Sequence, residues 1–312
     1  MPHRILGVNF SHEASVCLIE DGVLKKFYNE DRIQHTKNLE GNKYNNNFIS
    51  LNKYINEKID VVGYASWYKS YWHTNPESTY KKLHKNFSCK SYYDRHKHHI
   101  YHAISGFYFS PFDEAMAVVV DAGGAEPTNY PYVEVESIYY VNKDVCLAHY
   151  KNCTDIPNTP GADRIRSTSN HVANYLINGV DYHFNSNSPG GLAFNKSCLD
   201  MGLEWGEAGK LMGLSSYAYC KKKYNLNYDC VKLAAKTQEE NFERTCDLIN
   251  KAIKYRNVKN IIFSGGVALN CVNNYKYLNV FKDVNFFVDP NPGDSGTSLG
   301  VALYCYNYGK RS

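Results

Sequence analysis

The feature that most limits the fold is a strand pattern that occurs twice. Residues 4–10 (Arg-Ile-Leu-Gly-Val-Asn-Phe), 14–20 and 23–29 read as three short strands, with Asp21-Gly22 as a tight turn between the last two. The polar turn Ser11-His12-Glu13 separates the first two. Residues 115–121 (Ala-Met-Ala-Val-Val-Val-Asp), 135–142 and 144–150 repeat that order, with Ala122-Gly123-Gly124 after the first strand and Asn142-Lys143-Asp144 at the second turn. Two such meanders read as an internal duplication. Alternating strands and helices follow each: a helix near 48–58 and a strand at 61–65 after the first, an amphipathic helix at 231–256 after the second. Strands at 260–263 and 286–288 and a closing apolar helix at 298–307 complete the second half. The pattern predicts a two-lobed α/β protein with its ligand in the cleft between lobes. Residues 151–190, rich in Asn, Ser, Thr, Pro and Gly, read as a long loop.

Between the two meanders lies Asp-Arg-His-Lys-His-His-Ile-Tyr-His, residues 94–102, with four histidines in seven positions. On a helix His98 and His102 share a face, with Cβ atoms about 5–6 Å apart. Two imidazoles so spaced suit one divalent metal; a solvated, weakly basic helix start is the alternative reading. Ala103, Phe107 and Phe109 would pack inward, and Ser110-Pro111 would end the helix.

Three glycine-bearing turns, at 122–124, 264–266 and 293–296, sit at strand ends. Glycine lets backbone approach a ligand closely, and N–H groups at a helix start attract phosphate, so together the turns point to a nucleotide or phosphate cleft. Asp121 and Asp294 stand at two of these turns, where each either caps local backbone or supplies a metal with a carboxylate. His12 is placed to exchange a proton with a hydroxyl, though a lone turn histidine needs no function. Lys210, between glycines, reads as a phosphate contact or a surface residue of a helix start.

A net charge of +4 on 35 basic and 31 acidic residues does not demand a nucleic-acid partner, despite the local basic stretch Lys81, Lys82, Lys85, Lys90, Arg95 and Lys97. Ten cysteines without a C-x-x-C pair read as reduced thiols. With no charged-then-apolar leader and no window near eighteen apolar residues, the expectation is a cytoplasmic protein outside the membrane.

Seven motifs in order resemble the O-carbamoyltransferases of nodulation-factor, cephalosporin-type and aminoglycoside (tobramycin) biosynthesis. They are Leu6-Gly7-Val8-Asn9 with His12-Glu13-Ala14-Ser15; Asn29-Glu30-Asp31-Arg32 with Lys37; His98-His99-Ile100-Tyr101-His102-Ala103; Val120-Asp121-Ala122-Gly123; Gly209-Lys210-Leu211-Met212-Gly213-Leu214; Ser264-Gly265-Gly266-Val267-Ala268-Leu269-Asn270; and Gly293-Asp294-Ser295-Gly296-Thr297-Ser298-Leu299-Gly300. The resemblance implies the duplicated actin-like (ribonuclease-H-like) two-lobed fold, with lobes at 1–112 and 113–312. It implies a divalent metal, Fe2+ or similar, held by His98, His102 and Asp294; His12 and Lys37 as catalytic residues; and Asp121, Gly123, Gly124, Lys210, Ser264, Gly265, Gly266 and Asn270 as the nucleotide-binding set.

The activity implied is carbamoyl transfer from carbamoyl phosphate or carbamoyl-adenylate, the latter made with ATP, to an acceptor hydroxyl on a sugar, an antibiotic or a hydroxymethylated nucleotide or DNA base. Family members carry a second, C-terminal domain that makes carbamoyl-adenylate. This chain stops soon after its closing helix, which leaves that step to a partner, to a trimmed domain, or to direct use of carbamoyl phosphate. Asp121-Ala122 stands for the family's Asp-Gly, and Asn29-Glu30-Asp31 for its three glutamates. The rival readings are a nucleotide-binding subunit that acts through a partner without transfer, and a transferase of the tRNA threonylcarbamoyl type.

Overall fold

The computed structural model describes residues 3–37, 48–66, 87–124, 132–155, 173–185, 190–204, 206–220 and 224–308. Lys81, Lys82 and Lys85 of the basic stretch lie outside these residues.

The first meander forms β1 (Arg4–Asn9), β2 (Ser15–Glu20) and β3 (Val23–Asn29), with Ile5 opposite Ile19 and Cys17 opposite Phe27. Short helices α1 (Glu30–Gln34) and α2 (Ile49–Tyr54) follow. β4 (Val61–Ala65) then returns parallel to β1, and β5 (Lys90–Tyr93) lies parallel to β4, giving the order β3-β2-β1-β4-β5. The histidine stretch becomes α3 (His98–Phe109).

The second half repeats this plan. β6 (Glu114–Val120), β7 (Tyr132–Asn142) and β8 (Cys146–Asp155) form an antiparallel meander. After β9 (Ala173–Ile177), β10 (Val180–Asn185), α4 (Gly191–Asp200), α5 (Ala208–Ser215) and α6 (Tyr228–Tyr255), β11 (Asn260–Ser264) pairs parallel to β6. α7 (Cys271–Val280) leads to β12 (Asn285–Val288), parallel to β11, and α8 (Thr297–Leu303) follows. Read from β8, the run β8-β7-β6-β11-β12 has the order and directions of the first sheet. The duplicated, actin-like two-lobed fold is therefore present in the strand topology itself.

The expectation of one loop over 151–190 is corrected. β8 runs to Asp155, and β9 and β10 form a hairpin that extends the second sheet beyond β8. Asn178 and Gly179 turn that hairpin with φ of 51° and 79°, the left-handed conformation that an Asn-Gly pair supplies.

α3 and α8 lie between the two sheets. α8 packs on β1, β2 and β4 of the first sheet, and α3 packs on β6, β7 and β11 of the second and against α8. The closing helix, which follows the boundary at 112 in sequence, thus returns to the first sheet, while α3 lies on the second. Ile5, Cys17, Tyr101, Leu299 and Val301 share one buried cluster, and Ala103, Ala115, Ala117, Val119 and Tyr139 share another. On the outer face of the second sheet Leu248, Ile249 and Ala252 of α6 cover Met116, Val118 and Ile138. Being wedged between lobes buries most of the circumference of α3, so its polar residues are core residues too. Phe109, expected to face inward, is 36% exposed because the last turn runs past that core.

The close contact of α8 with the first sheet depends on Gly7. A Cβ at residue 7 would overlap the Ser298 carbonyl oxygen. Gly7→Ala should lower stability by about 1–3 kcal/mol, read from the urea midpoint, since neither β1 nor α8 can withdraw without opening the core.

Candidate metal centre between the lobes

His98 and His102 lie one turn apart on α3, both completely buried. A solvated helix start is therefore excluded. Their Nε2 atoms approach to 3.1 Å. Asp121 follows β6 and brings Oδ2 to 3.3 Å from His98 Nε2 and 4.0 Å from His102 Nε2. Asp294, at the start of the short 3-10 turn Asp294–Gly296, places Oδ1 at 3.4 Å and 3.6 Å from the same two nitrogens.

These distances fit a shared cation. With metal–ligand bonds of about 2.1 Å, the edges of a tetrahedral site are roughly 3.4 Å. The ligand atoms of all four residues lie within 4.8 Å of one another. Two imidazole nitrogens and two carboxylates suit zinc, iron or manganese. The resemblance assigned His98, His102 and Asp294 to the metal; the geometry adds Asp121, which had been placed among the nucleotide contacts.

Backbone and side-chain hydrogen bonds hold both aspartates in place. Gly265, at φ 89°, lies against the Val120 backbone, and the Gly266 N–H donates to Asp121 Oδ1 at 3.2 Å. The Gly191 N–H, at the start of α4, donates to the Asp121 carbonyl at 3.1 Å. Across the junction, Asn9 Nδ2 donates to the Asp294 carbonyl at 3.0 Å, and Ser11 Oγ donates to Asp294 Oδ2 at 3.3 Å. Asp294 is thus held from the first meander, and Asp121 from the second lobe.

His12 completes the junction. Its Nδ1 lies 2.8 Å from Asp294 Oδ2, so one carboxylate faces the α3 histidines with one oxygen and His12 with the other. The His12 side chain is 38% exposed and reaches the edge of the cleft. Desolvation alone would lower its pKa, but the Asp294 carboxylate reverses that and raises it to about 10. The same opposition raises His98 to about 9. Desolvation pushes Asp121 up while the His98 hydrogen bond and the imidazole charges pull it down to about 2; Asp294 is held well below the usual carboxylate range by His12 and His98, against its burial. The pocket is built for positive charge, which either protons or a divalent cation can supply.

The other expected residues sit around this junction in different roles. The Gly124 N–H donates to the Glu134 carbonyl at 2.7 Å, and its Cα lies against His99. Ser264 Oγ donates to Asp289 Oδ2 at 2.7 Å. Asn270 exchanges two amide hydrogen bonds with Gln238, at 2.9 Å and 3.0 Å, and caps α7 through the Asn273 N–H. Lys210 is exposed and paired with Glu207. Lys37 is exposed beyond α1; the Glu207 carboxyl is lowered by its Lys210 hydrogen bond and, in smaller part, by the Lys37 charge, which places Lys37 toward α5 rather than in the metal cluster.

The sequence reading missed Asn9, Ser11 and Glu13. Glu13, at φ 55°, fits against Gly293, where a Cβ would collide with its carboxylate. The turn Ser11-His12-Glu13 was the available signal, but nothing in it names Asp294 as the partner. Gly190-Gly191, the pair that brings α4 onto Asp121 and Ala122, straddles the end of the segment expected to be a loop.

Residues 233–303, from α6 through β11, α7 and β12 to the end of α8, match the family model for the carbamoyltransferase N-terminus. The matched segment contains Gly265, Gly266 and Asp294, whereas His12, His98, His102 and Asp121 precede it. An uncharacterized protein of Synechocystis sp. is 26% identical over 228 residues, 66% of this chain. The chain spans 35% of the length of that relative. Among solved structures, T. kodakarensis HypF aligns over 99% of this chain and 49% of its own, with a TM-score of 0.62 and 12% identity. A full-length HypF in its phosphate- and nucleotide-bound form aligns over 97% of this chain and 55% of its own, with a TM-score of 0.58 and 14% identity. At these identities the likeness is one of fold, and it agrees with the duplicated topology. Among the described residues no helix is long and apolar enough to cross a membrane.

Proposed function

We propose that this protein transfers a carbamoyl group from carbamoyl-adenylate or carbamoyl phosphate to an acceptor hydroxyl at the junction of its lobes. The observation that carries the reading is Asp294, whose two oxygens face a convergent His98–His102–Asp121 set and the exposed-edge His12. A divalent cation held by His98, His102, Asp121 and Asp294 would supply Lewis-acid stabilisation to a donor phosphate oxygen.

The chain's own groups account for the remaining needs. Asp294 orients the His12 ring through Nδ1, and a cation on the same carboxylate would withdraw the charge that otherwise keeps the imidazole protonated, so that His12 could take the proton of the acceptor hydroxyl. The acceptor oxygen bonds to the carbamoyl carbon, the carbon–oxygen bond to phosphate breaks, and the phosphate or nucleotide leaves with that electron pair. Gly266, half-buried and with only Asp121 close to where a Cβ would stand, would let a phosphate approach the backbone beside the cluster. Lys37 and Lys210, both exposed, would supply positive charge to the donor's outer phosphate or nucleotide. The nucleotide-bound HypF fold relative is compatible with an adenylate donor.

The test supplies metal-loaded protein with carbamoyl-adenylate, or with carbamoyl phosphate alone, and a panel of sugars, aminoglycosides and hydroxymethylated nucleotides. Mass spectrometry should find an acceptor heavier by one carbamoyl substituent, formed only with metal. Failure to bind or consume either donor under these conditions would overturn the reading and favour a subunit that works through a partner.

A further inference from the structure

We propose that His99 is a positioning residue: its Nδ1 contact with Ser137 on β7 fixes the rotation of α3 and so the geometry of His98 and His102. The inference rests on the metal reading above. His99 projects about 100° around the helix from His98, toward the second sheet rather than toward the cluster. Its Nδ1 lies 2.8 Å from Ser137 Oγ and 3.5 Å from Glu134 Oε1. Ser137 Oγ and the Tyr139 hydroxyl both donate to Glu134 Oε1, the latter at 3.0 Å, and Lys151 Nζ binds Oε2 at 3.1 Å. Lys151 neutralises the carboxylate, so the network is complete with His99 uncharged.

A serine within hydrogen-bond reach of a histidine invites comparison with a nucleophile and its base. Burial argues against it, since His99, Ser137, Glu134, Tyr139 and Lys151 are all buried. What such a network can do is hold an angle. Among the described residues, α3 meets the second sheet through apolar contacts with Ala115, Ala117, Val119 and Ile262 and through polar contacts at His98, His102 and His99, the first two directed at Asp121 within the cluster itself. The His99–Ser137 bond is a directional contact outside the cluster, and so it can set the helix rotation whether or not a cation is bound. It matters because a ligand constellation has a tolerance of only about 10–20°. The other side of the ring sets a distance as well: a Cβ at Gly124 would lie 2.5 Å from His99 Cδ2 and 2.6 Å from Nε2. One imidazole therefore spaces α3 from the Gly123–Gly124 turn.

The two ring nitrogens can be separated by substitution. His99→Asn places an amide atom where Nδ1 stands, and His99→Gln places one where Nε2 stands. Co2+ titrations followed by visible absorption should give an asparagine variant with near-native affinity and spectrum. The glutamine variant and Ser137→Ala should bind about 10–100-fold more weakly, with altered spectra, while far-UV circular dichroism stays native. Native Co2+ binding in both weakened variants would overturn the positioning role alone, as would equal loss in the asparagine and glutamine variants. Absence of Co2+ binding by the native protein would overturn the metal reading and this inference with it.

Discussion

Asp294→Asn should strip the protein of divalent metal while leaving its fold intact. The substitution keeps side-chain size, the backbone bonds from Asn9 and Thr297 to the residue 294 carbonyl, and a hydrogen-bonding group toward Ser11. It removes the charge shared by His98, His102 and His12. Loss of outer partners of metal ligands costs about 10–100-fold in affinity, so loss of a direct carboxylate ligand should exceed about 100-fold. Inductively coupled plasma mass spectrometry of purified protein would read this directly, and full metal retention would remove Asp294 from the ligand set. His12→Gln is the counterpart. It should keep the metal yet lower transfer by about 10²–10⁴, the range for a lost general base. A His12 variant that lost metal as well would place that residue among the ligands instead.

The fold was legible where side-chain period and turn chemistry agreed, as in the two meanders and α6. It was illegible where a short element takes its existence from a neighbour. β5 is only Lys90–Tyr93, without a period of its own, and it forms because β4 offers a parallel edge. The β9–β10 hairpin is a different kind of miss, since Asn178-Gly179 was in view, but the polar composition around it outweighed that signal. At the site, the four-residue spacing gave the histidine pair, and the resemblance gave Asp294. Asp121 was noticed as a strand-end carboxylate and then assigned to nucleotide binding, because a sequence does not say which of two strand ends faces α3. The packing of α3 between the lobes decides it: His98 and His102 face the end of β6 and the turn before α8 together. His99 was read with its neighbours as part of one histidine run, although one residue along a helix is a change of face.

Metal should stabilise the protein more strongly as pH rises above neutral. In the metal-free protein His98 has a pKa raised from 6.5 to about 9. The stabilisation from its protonated form is fully present below pH 6.5 and is lost as pH rises through about 9. Asp121 works in the opposite direction: lowered from 3.8 to about 2, it contributes above pH 3.8 and ceases to as pH falls through about 2. The metal-free junction is therefore best satisfied between about pH 3.8 and 6.5, and melting temperature should decline from there toward pH 9. A divalent cation needs the imidazole nitrogens free of protons, so its binding strengthens over the very interval in which the protons leave. The increase in melting temperature on adding saturating Zn2+ or Mn2+ should accordingly be larger at pH 8.5 than at pH 6. An increment that is flat with pH, or that shrinks as pH rises, would mean that the cation binds away from His98 and Asp121, because a site built on these groups exchanges protons for metal.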